Sequence, residues 1–473
     1  MLKRYIGDRA FYRRVMTIVV PIIIQNFITN FVSLLDNIMV GQVGTLPMSG
    51  VSIVNQLLFV SYLVIFGATA GAGIFTAQFQ GSGDHAGVRS TFRFKFLICT
   101  ALGIGGVALF ACAGTPLIRL FLTGEGAASD ANAILEYGQG YLEWMLIGLL
   151  PFAITSAYAG TLKETGQTFI PMLAGIIAVF VNLIFNFLLI YGKLGFPMLG
   201  IRGAAIATLC ARIAEFAVCL VYALRSKKLP LCIKAFCHPG WEMVRRFIKY
   251  SWPVLLNEVA WGLGNSMLTV VLGYTVISVD FLAAYAVTGN LGRLFLVVCF
   301  GLGAATAVMV GKAIGEGQSQ EEVMSLSHCL LQFTVVLGFA IAALALVLVP
   351  LVFQPYIFPL FKLYGRPAAI ATALAVTSFA SIPLHAYSIS AITGVLRSGG
   401  DVGWAAALDL LPQWLFALPL TALFALVLGD GSNYWWVAAA IQGESILKVP
   451  LCMLRCRKPV WIHDVTIPEG KEP

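Results

Sequence analysis

The chain has few charged residues. Asp, Glu, Lys and Arg make up 11% of its 473 residues, whereas a soluble domain contains about 25%. A water-facing surface cannot be built from so few ionised groups, because 59% of the residues are apolar. This composition excludes a soluble globular enzyme, a disordered chain and a nucleic-acid-binding module.

Signals for catalysis are also missing. The sequence has no Gly-Lys-Ser/Thr phosphate loop and no convincing pairing of a nucleophile with a histidine. We therefore predict no enzyme activity and no cofactor. Most of the ten cysteines lie inside apolar runs, so we expect no disulfide framework. Cys232, Cys237 and His238 share a loop, but zinc needs a fourth ligand, and we expect no metal site.

Long apolar stretches fill most of the chain. A helix needs about 20 apolar residues to cross a bilayer. The first stretch is about twice as long as the ~7–15-residue core of a signal sequence, so we expect no cleavable signal peptide. Twelve stretches meet the length requirement, at residues 14–40, 49–80, 91–113, 134–162, 168–191, 201–224, 247–273, 278–311, 325–350, 367–396, 402–428 and 432–454.

The loops between these spans alternate in charge. One set, which includes both ends of the chain, carries 23 Lys and Arg residues, and the other set carries 5. This count places Lys95 and Arg397 with the loops and Lys448 with the C-terminal tail. The remaining two basic residues, Arg212 and Arg293, are assigned to span interiors. Because basic residues accumulate on the cytoplasmic side, we predict that both termini are cytoplasmic.

The two halves of the sequence repeat each other. Pro21 matches Pro253 at an offset of 232 residues, and Gly81-x-Gly83 matches Gly315-x-Gly317 at an offset of 234. The 234-residue offset recurs in two further motifs, which pair Phe66-Gly67 with Phe300-Gly301 and Gly160…Gly166 with Gly394…Gly400. A constant register in separate regions indicates an internal duplication.

Each half contains six spans, and an even number gives both halves the same orientation. The predicted fold is an all-α integral membrane protein with twelve transmembrane helices in two parallel six-helix repeats, related by a pseudo-two-fold axis along the membrane normal. Parallel repeats are typical of transporters with a substrate site between the lobes and alternating access. We predict an N-terminal lobe at 1–224, a cytoplasmic linker loop at 225–246, a C-terminal lobe at 247–456 and a cytoplasmic tail at 457–473.

Short motifs in this order resemble those of the multidrug and toxic compound extrusion (MATE) family, and in particular its bacterial NorM- and DinF-like members. The resemblance covers nearly the whole chain. The motifs are Pro21 with Asp36-Asn-Ile-Met-Val-Gly41, Gln78-Phe-Gln-Gly-Ser-Gly-Asp84, Gly160 with Gly166, Asn182 with Asn186, and Leu396-Arg-Ser-Gly-Gly-Asp401.

This resemblance implies an antiporter that exports cationic, amphipathic drugs and dyes in exchange for inward H⁺ or Na⁺. The expected partners are small organic cations and the lipid bilayer, with no nucleic acid, and we expect a monomer in the cell inner (plasma) membrane. Two alternatives are a lipid or lipid-linked oligosaccharide flippase of the related fold and a carrier for a metabolite. A flippase should hold a phosphate with cationic residues, and two arginines in spans do not make that case.

Four polar residues in the first half are predicted to form a cation-coupling cluster. At ~1.5 Å rise per residue, Asp36, Asn182, Asn186 and Thr208 all fall ~6–14 Å below the outer ends of their spans. Their oxygens suit Na⁺, or set the proton affinity of one carboxyl. A plain interhelical hydrogen-bond cluster is the alternative. The family often has an acid in the fifth span, where this chain has Asn186, so the ion stays open.

A second set of residues is predicted to bind substrate. Glu258 lies near the middle of the seventh span beside Asn257, and a buried carboxylate requires a compensating ligand or proton. The equivalent position in the first half is Asn26, so packing symmetry does not require this charge. Family members often carry an acid in the tenth span, where this chain has His385. We expect Asp409, in the eleventh span, to line the cavity. A structural role is the alternative for His385 and Asp409.

Other charged residues in spans are predicted to pair locally. Arg212 and Glu215 are three residues apart on one helix, and Glu444 and Lys448 are four apart on another. Both spacings bring side chains together on a helix surface. Arg293 needs a partner that the sequence does not identify.

Overall fold

A computed structural model describes residues 9–122, 128–226, 241–275, 277–427 and 433–467. Most of the predicted linker, including Cys232, Cys237 and His238, lies outside these ranges. The described helices are α1 (Arg9–Gly41), α2 (Thr45–Ser82), α3 (His85–Leu122), α4 (Ala128–Glu164), α5 (Phe169–Tyr191), α6 (Ile201–Arg225), α7 (Trp241–Gly273), α8 (Ser278–Gly315), α9 (Gln320–Leu360), α10 (Arg366–Ala380), α11 (Ile382–Leu396), α12 (Val402–Val427) and α13 (Tyr434–Cys456).

These helices confirm the twelve predicted spans. Eleven of them are long and apolar enough to cross a membrane individually, and α10 with α11 forms one more span that is bent by 47°. The break falls at Ser381, and Pro383 lies in the first turn of α11, where a missing N–H leaves no helical hydrogen bond unmade. Helices satisfy their own backbone polar groups, which is why a chain this apolar folds into them.

Several of the later helices contain π-helical turns. One lies in α9 at Val349–Ile357, one ends α11 at Ser390–Leu396, and two interrupt α12 at Gln413–Ala417 and Leu423–Val427. Such turns are rare and occur frequently at functional sites, because they change the direction in which side chains point. Two of the four adjoin the charged residues of the second site described below.

The chain divides into two compact units. Unit N consists of Ile24–Thr76 and His85–Leu255, and unit C consists of Met1–Ile23, Ala77–Asp84 and Leu256–Pro473. Helices α1, α2 and α7 therefore each contribute residues to both units. The lobe boundaries derived from the sequence stay a prediction.

Each unit has its own apolar core. In unit N, Val54, Leu58 and Ile118 are fully buried with residues of α4 and α6. In unit C, Phe379 is fully buried and its ring centroid lies 5.1 Å from that of Phe295 in an edge-to-face arrangement. Edge-to-face contacts of this kind stabilise by about 0.5–1.5 kcal/mol beyond the area they bury.

The internal repeat extends to the backbone. Gly83 and Gly317, which the 234-residue offset pairs, have φ values of +74° and +71°. Gly166 and Gly400, a second pair at the same offset, have φ values of +81° and +83°. These left-handed conformations favour glycine, so the repeated glycines are explained by repeated turns.

Two of the repeated glycines allow a close helix contact within unit C. A Cβ atom added at Gly315 would lie 2.8 Å from the Cα atom of Gln78. One added at Gly81 would lie 3.0 Å from the backbone nitrogen of Glu316. The end of α2 and the end of α8 therefore touch backbone to backbone, and no larger side chain fits at either position.

Residues 457–467, which we name the C-terminal strap, pack onto this region. Trp461 is fully buried against Gly399, and the backbone N–H of His463 donates to the Gly399 carbonyl at 2.8 Å. The buried Gln78 side chain donates to the carbonyls of Ser398 (3.0 Å) and His463 (3.1 Å). Its Oε1 accepts from the backbone N–H of Val465 at 2.8 Å. The sequence assigned these residues to a tail and gave no sign that they pack.

We expect Gln78→Leu to loosen the strap. The substitution keeps the volume but leaves two carbonyls and one N–H of the strap region unpaired, at a cost of about 1–3 kcal/mol for each group that stays buried. Trypsin should then cut after Arg457 at least several-fold faster than in the wild type, whereas the Lys458–Pro459 bond is not a trypsin site. Gln318→Leu, at an exposed glutamine outside the strap contacts, is the control. Unchanged cleavage in Gln78→Leu would show that the strap is held without the Gln78 hydrogen bonds.

Candidate functional site

The first site lies in unit N, where α1, α5 and α6 bring the predicted cluster together. Asn186 Nδ2 donates to Asp36 Oδ1 at 2.6 Å and to Asn182 Oδ1 at 3.1 Å. Asn182 Nδ2 in turn donates to Thr208 Oγ1 at 3.4 Å. All four side chains therefore form one hydrogen-bonded chain, which we name the Asp36 cluster.

The Asp36 cluster is buried and rich in oxygen acceptors. Asn186 is completely buried, and its Oδ1 has no hydrogen-bond partner within the described ranges. Asn182 is 8% exposed. Because Asp36 is the cluster's ionisable member, any change of charge in it must come from a proton on Asp36 or from a bound cation.

Further polar groups lie near Asp36. Tyr141 is fully buried, donates to Asn55 Oδ1 at 3.4 Å, and lies within electrostatic range of Asp36. Arg212 lies within the same range of Tyr141 and bonds to Glu215 Oε2 at 3.1 Å, which confirms the predicted pair. The Arg212 guanidinium is thus already neutralised by its neighbour on α6.

A second buried pair in unit N involves residues that the sequence placed near span ends. Lys95 on α3 is fully buried and bonds to Glu164 at the end of α4. The Glu164 carboxylate lies against Gly73, where a larger residue would displace it. Assigning Lys95 to a loop was wrong, because α3 already begins at His85.

The second site lies in unit C and consists of five charged residues on four helical segments. Arg397 Nη1 bonds to Glu258 Oε1 at 2.6 Å, and its Nη2 lies 3.9 Å from Asp409 Oδ2. Lys448 Nζ bonds to Asp409 Oδ1 at 2.8 Å and to Glu444 Oε2 at 3.4 Å. We name these five residues the charge network.

Asn257 extends the charge network. Its Nδ2 donates to Asp409 Oδ2 at 2.9 Å, and the residue is 1% exposed. Its Oδ1 has no hydrogen-bond partner in the described part of the chain. Gln413, one turn after Asp409, donates to the Trp261 carbonyl at 3.3 Å and likewise has an unpartnered Oε1. Two buried oxygens without a partner among the described residues, Asn257 Oδ1 and Gln413 Oε1, therefore belong to residues near Asp409: Asn257 bonds to it, and Gln413 follows it by one helical turn.

These contacts change the sequence-based view of Glu258. Arg397 supplies the compensation that we expected from a ligand or a proton. The Asn265 amide, two turns further along the same helix, donates to the Trp261 carbonyl at 2.9 Å. Placing Arg397 on a loop was wrong, because the residue is 6% exposed directly after the π-helical turn of α11.

The structure confirms some of the other contacts predicted in unit C and not others. The Glu444–Lys448 pair is confirmed, and Asp409, which had no assigned partner, proves to be the centre of the network. His385 bonds to residues beside the network, with Nε2 3.0 Å from Gln442 Oε1 and Nδ1 2.8 Å from Ser445 Oγ. Arg293 has no ion-pair partner among the residues that the structure describes. The roles of all eight predicted site residues stay predictions.

Each site belongs to one half of the repeat. At the repeat offsets, the acidic and amide members of the Asp36 cluster correspond to the apolar residues Leu268, Phe416 and Leu420. In the same way, three members of the charge network, Glu258, Asp409 and Lys448, correspond to Asn26, Gly175 and Ala214. The duplicated scaffold therefore carries two chemically different sites.

Twelve apolar spans in two repeats, with ionisable clusters buried inside each unit, define a membrane transporter. The family model described as MatE matches residues 21–188 and again residues 253–423. One match in each half confirms the internal repeat. The chain belongs to this family, whose members are multidrug efflux transporters and not enzymes.

Individual relatives agree with this assignment. An uncharacterised transporter, YisQ of Bacillus subtilis, is 24% identical over 94% of this chain and 93% of its own. A probable multidrug resistance protein NorM of Thermotoga maritima is 24% identical over 65% of this chain and 64% of its own. A solved multidrug resistance MATE family transporter in an outward-facing conformation is 18% identical, has a TM-score of 0.83 and is matched over 96% of both chains. That similarity shows the shared fold.

Proposed function

We propose that this protein is an antiporter that exports cationic, amphipathic compounds in exchange for inward H⁺ or Na⁺, by alternating access. The observation that carries the proposal is the Asp36 cluster, in which one carboxylate accepts from the buried Asn186 amide while that amide's own oxygen, Asn186 Oδ1, has no partner among the described residues. A carboxylate with neutral oxygen donors binds a hard cation or a proton, and releases it when its surroundings change.

The charge network supports a cationic rather than an anionic substrate. A lipid-linked phosphate would need free cationic groups, but Arg397 and Lys448 are both bonded to carboxylates. Carboxylates outnumber cations among these five residues. The proposal includes a monomer in the cell inner membrane with both termini cytoplasmic, which the distribution of Lys and Arg supports.

Transport of a cationic dye tests the proposal. The purified protein is placed in liposomes, and ethidium accumulation is followed under a pH gradient and a Na⁺ gradient, each imposed alone. We expect accumulation under one gradient and none without a gradient. Dye movement that neither gradient drives would contradict coupled antiport. Scrambling of a fluorescent phospholipid in the same vesicles would favour the flippase instead.

A further inference from the structure

The inference concerns Lys448, which lies between two carboxylates of the charge network. Its Nζ is 2.8 Å from Asp409 Oδ1 and 3.4 Å from Glu444 Oε2. Glu444 lies one turn away on the same helix, so both acids are within reach of one flexible side chain. A lysine ammonium is a compact charge on a four-carbon stem and reorients more easily than a guanidinium.

The surroundings of Asp409 favour binding of a cation. Its Oδ2 is held by the Asn257 amide at 2.9 Å and faces Arg397 at 3.9 Å, while Oδ1 is bonded to Lys448. Asn257 is 1% exposed and has an unpartnered Oδ1, although its other amide atom is bonded to Asp409. If Lys448 turns fully to Glu444, Asp409 Oδ1 loses its partner. The neighbouring residue Asn257 still has an amide oxygen, Oδ1, that can also bind a cation.

Access to this region differs between the partners. The side chains of Asp409 and Glu444 are 16% and 17% exposed, and that of Lys448 is 6% exposed. Both acids are therefore more accessible than the lysine that lies between them. A cation arriving at Asp409 competes with Lys448 for the same oxygen.

We propose that Lys448 is a tethered cation that competes with a transported organic cation for Asp409, and that Glu444 holds Lys448 while the cation is bound. The proposal rests on the function proposed above and names a residue that sets the affinity for its substrate. Lys448 and the organic cation compete for the same oxygen, Asp409 Oδ1, so binding of one requires displacement of the other. The lysine then returns to Asp409 and expels the cation during release.

Opposite shifts in two variants follow from this competition. Lys448→Met removes the competitor and should tighten binding of tetraphenylphosphonium about tenfold, within the ~5–150-fold range typical of coupling between sites. Glu444→Gln removes the alternative partner, leaves Lys448 on Asp409, and should weaken binding by a similar factor. The double variant should bind as tightly as Lys448→Met, because without the lysine the state of Glu444 no longer matters.

The experiment measures the Kd of tetraphenylphosphonium for the purified full-length wild type and for each variant by calorimetry, with folding checked by gel filtration. Transport by each variant is measured in liposomes, where Lys448→Met should lower both KM and the maximal rate, since release becomes slow. Lys312→Met, the same change at a lysine of α8 whose side chain is 54% exposed and outside the charge network, is the matched control and should leave the Kd unchanged.

Each result decides between the proposals. Kd shifts in the same direction for Lys448→Met and Glu444→Gln, or no shift in either, would show that Lys448 is structural and leave the proposed function standing. A wild type that does not bind tetraphenylphosphonium, with binding gained in Lys448→Met, would still support the tethered cation. No binding by the wild type or by any variant would overturn both proposals.

Discussion

Asp36→Asn is expected to reduce gradient-driven dye accumulation to the level of empty liposomes, while the protein stays folded. Asparagine keeps the oxygen that accepts from Asn186, so the hydrogen-bonded chain through Asn182 and Thr208 can persist. What the substitution removes is the charge, and with it both the proton and the electrostatic attraction for Na⁺. Because transport in one direction must be matched by the return of the coupling ion, losing that ion stops accumulation rather than merely slowing it.

Two controls separate coupling from folding in this experiment. Thr208→Val removes the hydrogen bond at the far end of the cluster, about 0.5–1.5 kcal/mol, and should leave measurable accumulation. Unfolding temperatures in detergent should agree within a few degrees for Asp36→Asn and the wild type. Accumulation at the wild-type rate in Asp36→Asn would show that the Asp36 cluster only holds helices together.

Arg397→Met is expected to destabilise the protein by about 3–5 kcal/mol. The guanidinium bonds to Glu258 at 2.6 Å and faces Asp409 at 3.9 Å, and side-chain exposure is only 8% for Arg397 and 12% for Glu258. Removing it leaves a buried carboxylate without its counter-charge. The loss should appear as a lower unfolding temperature and as aggregation during purification.

A second substitution identifies the cause. Adding Glu258→Gln to Arg397→Met removes the stranded charge, so most of the lost stability should return. Arg455→Met is the comparison, because Arg455 also bonds to a carboxylate, Asp401 at 2.7 Å, but is 23% exposed and should cost less. A double variant as unstable as Arg397→Met would mean that the arginine stabilises through packing and not through Glu258.

The Asp36 cluster could be predicted because it depends on regular geometry. Depth along a straight helix follows from the rise per residue, and the four-residue spacing of Asn182 and Asn186 puts both on one face. Asp36 and Thr208 lie at comparable depth on neighbouring spans. Contacts between helices at matched depth then follow once the spans are correctly counted, and the structure joins all four residues.

The charge network could be predicted only in part. Glu444 and Lys448 are neighbours on one helix, so their pairing followed from sequence spacing. Arg397 is different, since hydropathy and charge counting assign a basic residue at a span end to a loop. Whether such a side chain turns inward depends on an acid that is 139 residues away, Glu258, and one sequence does not reveal that pairing. The π-helical turn just before Arg397 has no simple sequence signal either.

The strap was missed for a related reason. Trp461 lies a few residues after the last predicted span, between Val460 and Ile462, in a segment too short to be a span and without helical periodicity. Its burial depends on Gly399, where a side chain would occupy the space that the indole fills. The Gly399-Gly400 pair is visible in the sequence, but its contact with Trp461 is not. A tryptophan beyond the last span belongs to no periodic apolar pattern from which its burial could be predicted.

The strap also constrains how the protein is synthesised. Val465 closes a hydrogen bond to Gln78, a residue 387 positions earlier in the chain. When α2 emerges from the ribosome, three of the hydrogen bonds that Gln78 will make have no partner. Ser398 supplies one of them before α12 is made, and His463 and Val465 supply the other two only after α13 has been made. Contacts this distant in sequence form late in folding. A ribosome that stops at Cys456 would release a chain that contains α1 to α13 but leaves the Gln78 amide without two of its partners.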